Sequence, residues 1–342
     1  MRSSTDAIYA DCRSSLAATG LGGLEELRGA RVMITGATGF VGTWLMSLIA
    51  YLNDTHGFAV EVTGVARRPS RLAAEAPFLS HRKDIALFQA DVRQLVEIPA
   101  GIRWIVHAAA NPDSRHHATN PIDTASVIAD GTSRILRLAE QAEELRGLLH
   151  FSSGLVQAGS VAERRLGATS VYAEAKRFSE ALCAAFRTQA RLPVVVTRPF
   201  TFLGPFQALD APWAANNFLH AAMKGQALKI LGSGETARAY LYGSDMAVLA
   251  LHQLVRGRSG ETYDLGGAEA ITLIELARLV VAEAGRPLEV RVNTAGRDLA
   301  SAPLVPDMEA SQRAFAFAPA FSPSAAIART LAWHAGTSAG NA

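Results

Sequence analysis

Cysteine is almost missing from this chain: there are two in 342 residues, Cys12 and Cys183, far apart in sequence. A disulfide framework is excluded on that count, and a reducing, cytoplasmic setting is the expected one. No run of about 18 consecutive apolar residues occurs, so no membrane span is expected. The opening MRSSTDAIYADCRSSLAATG lacks the apolar segment of an export signal. Excess charge is lacking as well. Thirty-three Lys and Arg stand against 31 Asp and Glu, leaving a net +2 with no long basic run. That argues against a nucleic-acid partner held by phosphate neutralisation. No metal is expected, and no internal repeat or low-complexity tract is visible.

What is present is alternation. RVMIT (31–35), FAVEVTGVA (58–66), ALFQAD (86–91), IRWIVHAAA (102–110), GLLHFSS (147–153) and LPVVVTRP (192–199) read as buried strands. Helical spacing runs through 40–53, 122–145 and about 170–190 between them. Strands alternating with helices predict a parallel sheet covered on both faces. After Phe200 turns become frequent, and helices over 241–255 and 272–285 flank a strand over 261–267. The fold class is therefore α/β: a Rossmann-type doubly wound parallel sheet with a smaller, interleaved C-terminal substrate lobe. Residues 1–28 are expected to form an N-terminal extension with one or two short helices. Residues 29–200 form the dinucleotide-binding domain, with 241–267 returning to it, and 201–240 and 268–342 the substrate lobe.

MITGATGFVG (33–42) sets Gly36, Gly39 and Gly42 after the first strand and at the opening of a helix. That context suits a tight turn, a close backbone approach to phosphate, and close helix–strand packing. It predicts dinucleotide binding by the turn, including Thr38, Phe40 and Val41, with the pyrophosphate at the helix N-terminus. The second strand ends GVARRPSR, so Arg67 and Arg68 stand where an NAD site carries an acid. This favours NADP, with NAD the alternative. Asp91 and Val92 in QADV are expected near the adenine, and Ala108 and Ala109 in HAAA beside the cofactor path, with His107 at the strand end.

SVYAEAK (170–176) puts Tyr172 and Lys176 four residues apart, on one face of a helix. A phenol has an unperturbed pKa of ~10, and a nearby cation lowers it. Reaching neutrality takes about 4 kcal/mol, more than one lysine obviously supplies, so a second positive group is expected.

GATGFVG, ADV, HAAA, FSSGLV, YAEAK, RPFTFLGP and GSGETARAYLYGSDMA follow one another as in the extended short-chain dehydrogenases/reductases. The chain resembles their nucleotide-sugar epimerase/dehydratase group over about residues 30–335. The resemblance implies that Tyr172 is the acid/base. Lys176 would bind the nicotinamide ribose and lower the tyrosine pKa, and the oxidised nicotinamide would be the second positive charge. It also implies a serine at the end of the fifth strand, Ser153 or, after a slip of one, Ser152. Gln157 replaces the tyrosine of that family motif. For the substrate, a nucleotide diphosphosugar, it points to Thr201, to Asn217 (or Asn216), to Arg238 and to Arg297.

In dehydratase relatives an Asp-Glu pair follows the serine or threonine; here those positions are Gly154 and Leu155. Asp113, His116 and His117 in NPDSRHHATNP are the only nearby substitutes, and they read as a polar loop. The expected reaction is redox at C4 of the sugar, an epimerisation, with NADPH-dependent reduction of a nucleotide-linked 4-keto sugar as the alternative. A 4,6-dehydratase or a reductase of a non-nucleotide ketone ranks lower. The resemblance further implies a homodimer built by a four-helix bundle from the helices near 122–145 and 170–190.

Overall fold

The apolar runs that alternate with helical patterns become one parallel sheet in the computed structural model, which describes residues 4–157, 171–293 and 304–339. In chain order the elements are α1 (Ser4–Thr19), β1 (Arg31–Thr35), α2 (Phe40–His56), β2 (Glu61–Ala66), α3 (Ser70–Glu75), α4 (Pro77–Ser80), β3 (Ile85–Gln89) and β4 (Ile102–His107). Then come α5 (Ser114–Thr119), α6 (Pro121–Ala139), β5 (Gly147–Phe151), α7 (Val171–Ala190), β6 (Val194–Pro199), β7 (Thr201–Leu203), α8 (Ala214–Met223) and β8 (Leu228–Leu231). The chain continues through β9 (Ala237–Tyr242), α9 (Gly243–Arg256), β10 (Thr262–Leu265), β11 (Ala270–Thr272), α10 (Leu273–Glu283), β12 (Val290–Asn293), α11 (Glu309–Phe315) and α12 (Pro323–Ala339).

The seven-stranded sheet has the order β10-β6-β5-β4-β1-β2-β3. β1 and β5 are buried along nearly their whole length, as strands covered on both faces must be. The order reverses between β1 and β4, and a crevice at the carboxyl ends of the strands is where such a fold binds ligands. Register places Thr35, His107 and His150 side by side across β1, β4 and β5. Gly36, Ala108 and Ser152–Ser153 therefore emerge together at that edge. The segments after Phe200 supply β11-β9-β7 and β12-β8, while β10 rejoins the main sheet beside β6. No helix among the described residues is long and apolar enough to cross a membrane.

The N-terminal segment is not an appendage. Ile8, Cys12 and Leu16, spaced i, i+4, i+8, form one buried face of α1 that packs on α2 and α9. Polar ties reinforce it. The Tyr242 hydroxyl donates to Asp11 Oδ2 at 2.6 Å, Arg329 Nε lies 3.2 Å from Asp11 Oδ1, and the Ser15 and Ser244 hydroxyls bond at 2.7 Å. The sequence alone did not predict this, because α1 has only a weak apolar stripe and the partners of its buried Asp11 and Ser15 lie more than 200 residues away. Ile8→Ala should cost about 2–5 kcal/mol, the range for emptying a packed site. A urea or thermal melt checks this, and an unshifted midpoint would make α1 peripheral.

Candidate active site

The glycine turn is dictated by space. Gly36 has φ +73°, and a Cβ there would sit 2.9 Å from the Ala108 carbonyl oxygen. At Gly42, in the first turn of α2, a Cβ would lie 2.5 Å from Ala37 Cα. Both positions exclude side chains, and the exclusion draws α2 tightly onto β1 and β4. Gly39 is the N-cap of α2 and no side chain caps the helix, so the amides of its first turn and the positive end of its dipole are not used by a side chain. A Cβ on Gly39 would meet nothing nearer than the Gly36 carbonyl oxygen at 3.3 Å, so the turn is open on that side. These residues fit the diphosphate of a dinucleotide, with Thr38 and Val41 in the turn and Phe40 stacked on Phe202 at 5.9 Å.

Arg67 and Arg68 are exposed directly after β2, and the segment that carries them, GVARRPSR, contains no acid. Arg67 borders a small hollow with Asn111, His116 and Asp123. Asp91 caps a short turn that contains buried Val92, and its carboxylate is gripped by Arg93 at 2.9 and 2.6 Å. That grip, rather than solvent, holds the Asp91 pKa below the usual carboxylate range. Arg93 continues to Asp123 at 3.0 Å, and Asp123 to His116 at 3.3 Å, linking the end of β3 to α5 and α6.

Tyr172 and Lys176 share the buried face of α7 with Ala175, Ser179 and Cys183. The Tyr172 hydroxyl is hydrogen-bonded to Ser153, whose Oγ also accepts from the Leu155 amide at 3.2 Å. The other serine is engaged elsewhere. Ser152 donates to Glu180 at 2.5 Å, and Arg198 grips Glu180 through two further bonds of 2.9 and 2.7 Å. The structure thus brings Ser153, not Ser152, to the phenol. Lys176 Nζ donates to the Phe151 carbonyl at 2.6 Å and lies 5.9 Å from the centre of the Tyr172 ring.

The electrostatics differ from the expectation that Lys176 lowers the tyrosine. Burial pushes Tyr172 up to about 12, opposed only by its bond with Ser153, and burial pushes Lys176 down to about 8. Beneath them His107 bonds Thr35 at 2.7 Å and Thr132 at 3.2 Å. Burial first, then the Lys176 charge, lowers it to about 3, so it is a neutral packing group.

Other expected residues fall into place unevenly. Thr201 opens β7, partly buried, two residues beyond the end of β6. Asn217 is exposed on α8. Asn216 is fully buried and joins the loop before that helix, bonding Gln207 and, at 2.7 Å, the Ala208 carbonyl. Arg238 is half-buried on β9, which lowers its pKa. Arg297 lies outside the described residues. Gln157, in the place of the family tyrosine, donates to both oxygens of Asp264 at 3.1 and 3.2 Å.

His117, named in the sequence only as a member of a polar loop, has a partner that the sequence did not indicate. The segment read as a polar loop contains α5, started by the Asp113 carboxylate accepting from the Arg115 amide at 2.8 Å. One turn on, His117 is buried. Its ring lies parallel to that of Tyr172, with centroids 4.2 Å apart and planes 12° from parallel. A histidine in a run of polar residues carries no sign of an aromatic partner 55 positions away.

A crevice at the β1/β4 switch point, with a glycine turn on one side and a buried Ser–Tyr–Lys set on the other, defines a nucleotide-cofactor-dependent oxidoreductase fold. Residues 32–266 match the NAD dependent epimerase/dehydratase family, and the chain belongs to that family. It is 28% identical over 266 residues to a UDP-glucuronic acid decarboxylase 1 of Xenopus tropicalis, covering 75% of this chain and 61% of that protein. The chain thus spans about three fifths of the length of that curated relative. It is also 28% identical to a dTDP-glucose 4,6-dehydratase of Streptomyces niveus, over 75% of this chain and 78% of that one. In fold it is similar to the UDP-glucuronic acid 4-epimerase of Bacillus cereus, solved with UDP-glucuronic acid and NAD. The TM-score is 0.73 at 20% identity, over 90% of this chain and 99% of that one.

The low Lys176 pKa has a consequence for cofactor binding. If its ammonium holds the nicotinamide ribose, NAD+ affinity should fall as pH rises through about 8, at up to about tenfold per unit, as the free protein loses that proton. Lys176→Met should bind more weakly at pH 7 with a flat profile, measured by fluorescence quenching. A wild-type profile that is flat to pH 10 would remove Lys176 from the cofactor site.

Proposed function

We propose that this chain carries out redox chemistry at C4 of a nucleotide diphosphosugar, as a 4-epimerase, with Ser153, Tyr172 and Lys176 as its catalytic set. The observation that carries this reading is the loop after β5. It brings Ser153 to the phenol and then presents Gly154 and Leu155, neither of which can move a proton. A side chain at 154 has no room, because a Cβ would sit 2.8 Å from the Phe200 ring, and Leu155 is an exposed apolar residue. Dehydration across C5 and C6 needs an acid and a base beyond the tyrosine. C4 oxidation and its reversal need only one proton shuttle.

Tyr172 Oη takes the C4 hydroxyl proton and returns it to the same oxygen after the keto sugar has turned over. Ser153 donates to that oxygen and steadies its developing charge. Lys176, anchored on the Phe151 carbonyl, is held to reach the nicotinamide ribose. The bound nicotinamide supplies the hydride acceptor and a positive charge beside the phenol. Arg238, Asn217, Thr201 and Arg297 are proposed for the sugar-nucleotide end, where a guanidinium suits the diphosphate.

Arg67 and Arg68 after β2 favour a second reading: an NADPH-dependent reductase of a 4-keto sugar. We further propose a homodimer through α6 and α7, which pack side by side and expose Ile122 and Phe178. A monomer by light scattering would refute that dimer.

Denaturing the purified protein and identifying what it releases separates the two readings. Tightly held NAD+ goes with an epimerase; empty protein that consumes NADPH with a 4-keto sugar goes with the reductase. Tyr172→Phe should lower kcat at least a thousandfold while cofactor affinity stays within about threefold, and surviving turnover would refute the catalytic assignment. In the NADPH reading, Arg67→Ala with Arg68→Ala should weaken NADP binding tenfold or more and leave NAD unchanged. Equal effects on both cofactors would argue against a 2′-phosphate contact.

A further inference from the structure

We propose that His117 is a positioning residue for Tyr172: its imidazole, stacked flat on the phenol ring, fixes the plane in which the hydroxyl meets Ser153 and the reacting oxygen. The inference rests on the reading of Tyr172 as the acid/base, and it comes from three observations. The two rings lie 4.2 Å apart and 12° from parallel, so His117 covers a face of the phenol. Besides the Lys176 ammonium 5.9 Å from the ring centre, the ring packs on Ile128 and Ala175 with the partly buried Ala110 and Ala125, and none of these four can hold a ring in one orientation by hydrogen bonding. His117 is itself held, since its Nε2 bonds the Asn111 carbonyl oxygen at 2.6 Å and must carry the hydrogen there.

The stack is neutral at physiological pH. Burial lowers the His117 pKa, and the neighbouring His116 and Lys176 charges act in the same direction against Asp113 and the Asn111 carbonyl bond. The neighbouring polar groups are themselves engaged: Asp113 pairs with Arg115 at 2.7 Å, and His116 Nε2 lies 3.3 Å from Asp123 Oδ2. A neutral ring on the phenol does not add the charge that would create a phenolate. Its contribution is geometric, restricting rotation about the Cβ–Cγ bond and keeping water off one face. A tyrosine whose polar tether among the described residues is the bond to Ser153 would otherwise lose its aim whenever that serine turns to the substrate.

His117→Phe keeps an aromatic plane without the hydrogen bond, and His117→Asn keeps a donor for the Asn111 carbonyl without the plane. The pair separates stacking from anchoring even if His117→Ala fails to fold. With 3-fluorotyrosine incorporated and the Tyr172 signal assigned by its loss in Tyr172→Phe, 19F NMR of the NAD+-bound protein reads ring motion without any substrate. Wild type and His117→Phe are expected to show Tyr172 in two slowly exchanging ring orientations, and His117→Asn and His117→Ala a single averaged line. On a nucleotide sugar that wild type converts, His117→Asn should lose tenfold or more in kcat with KM within about threefold, and His117→Phe should recover most of the loss. Identical 19F signals in all variants would overturn the proposal, as would an active His117→Asn beside an inactive His117→Phe. If wild type converts no nucleotide sugar, the functional reading fails while the 19F comparison still decides the role of His117.

Discussion

Desolvation of one phenol and one ammonium is the constraint around which this site is organised. Both groups are driven toward their uncharged forms by the same burial, Tyr172 up to about 12 and Lys176 down to about 8. A site meant only to hold structure would fill these positions with apolar residues, because buried ionisable groups cost stability unless they are paired. Here α7 places them on its inner face. β5 ends so that the Phe151 carbonyl receives the ammonium and Ser153 receives the phenol, and α5 covers the ring. Each of these placements follows from the parallel register that brings the ends of β1, β4 and β5 to one edge.

The sheet was readable because its signals are local. A buried parallel strand is a short apolar run, and a glycine turn shows itself as three glycines between a strand and a helix. The Tyr172–Lys176 pair was readable for the same reason, since i and i+4 share a helix face whatever surrounds them. The sequence pointed to Ser153, with Ser152 as the fallback after a slip of one. The two differ only in which one meets Tyr172 and which one Glu180, a difference set by how β5 leaves the sheet. The packing of α1 and the stacking of His117 stayed hidden because their partners are distant: Asp11 finds Tyr242, and His117 finds Tyr172. A weak apolar stripe and a histidine among polar residues acquire meaning only after the chain has closed on itself.

The glycines and the arginines point to different degrees of commitment. Gly36 and Gly42 are fixed by contacts that no side chain survives, so the phosphate turn is built into the packing of α2 on β1. Arg67 and Arg68 are exposed and bound by no comparable constraint. The glycine turn is thus a property of the core, while the two arginines, on which the proposed NADPH reading rests, are surface charges that can change without disturbing it. The same division holds for chemistry. Gly154 is locked against Phe200, where a Cβ would sit 2.8 Å from the ring, so that position too is set by packing.

The size of the tyrosine shift shows why the phenol and the cofactor cannot be considered separately. Bringing a pKa of about 12 down to about 7 takes roughly 7 kcal/mol at ~1.36 kcal/mol per unit. Lys176 lies 5.9 Å from the centre of the ring, and the bond to Ser153 is what opposes burial, so the tyrosine stays protonated at neutral pH. A cationic ring beside the phenol would favour its charged form. In the cofactor-free protein burial therefore keeps Tyr172 protonated at neutral pH, so the acid/base role proposed for it depends on a positive charge that the bound oxidised cofactor would bring.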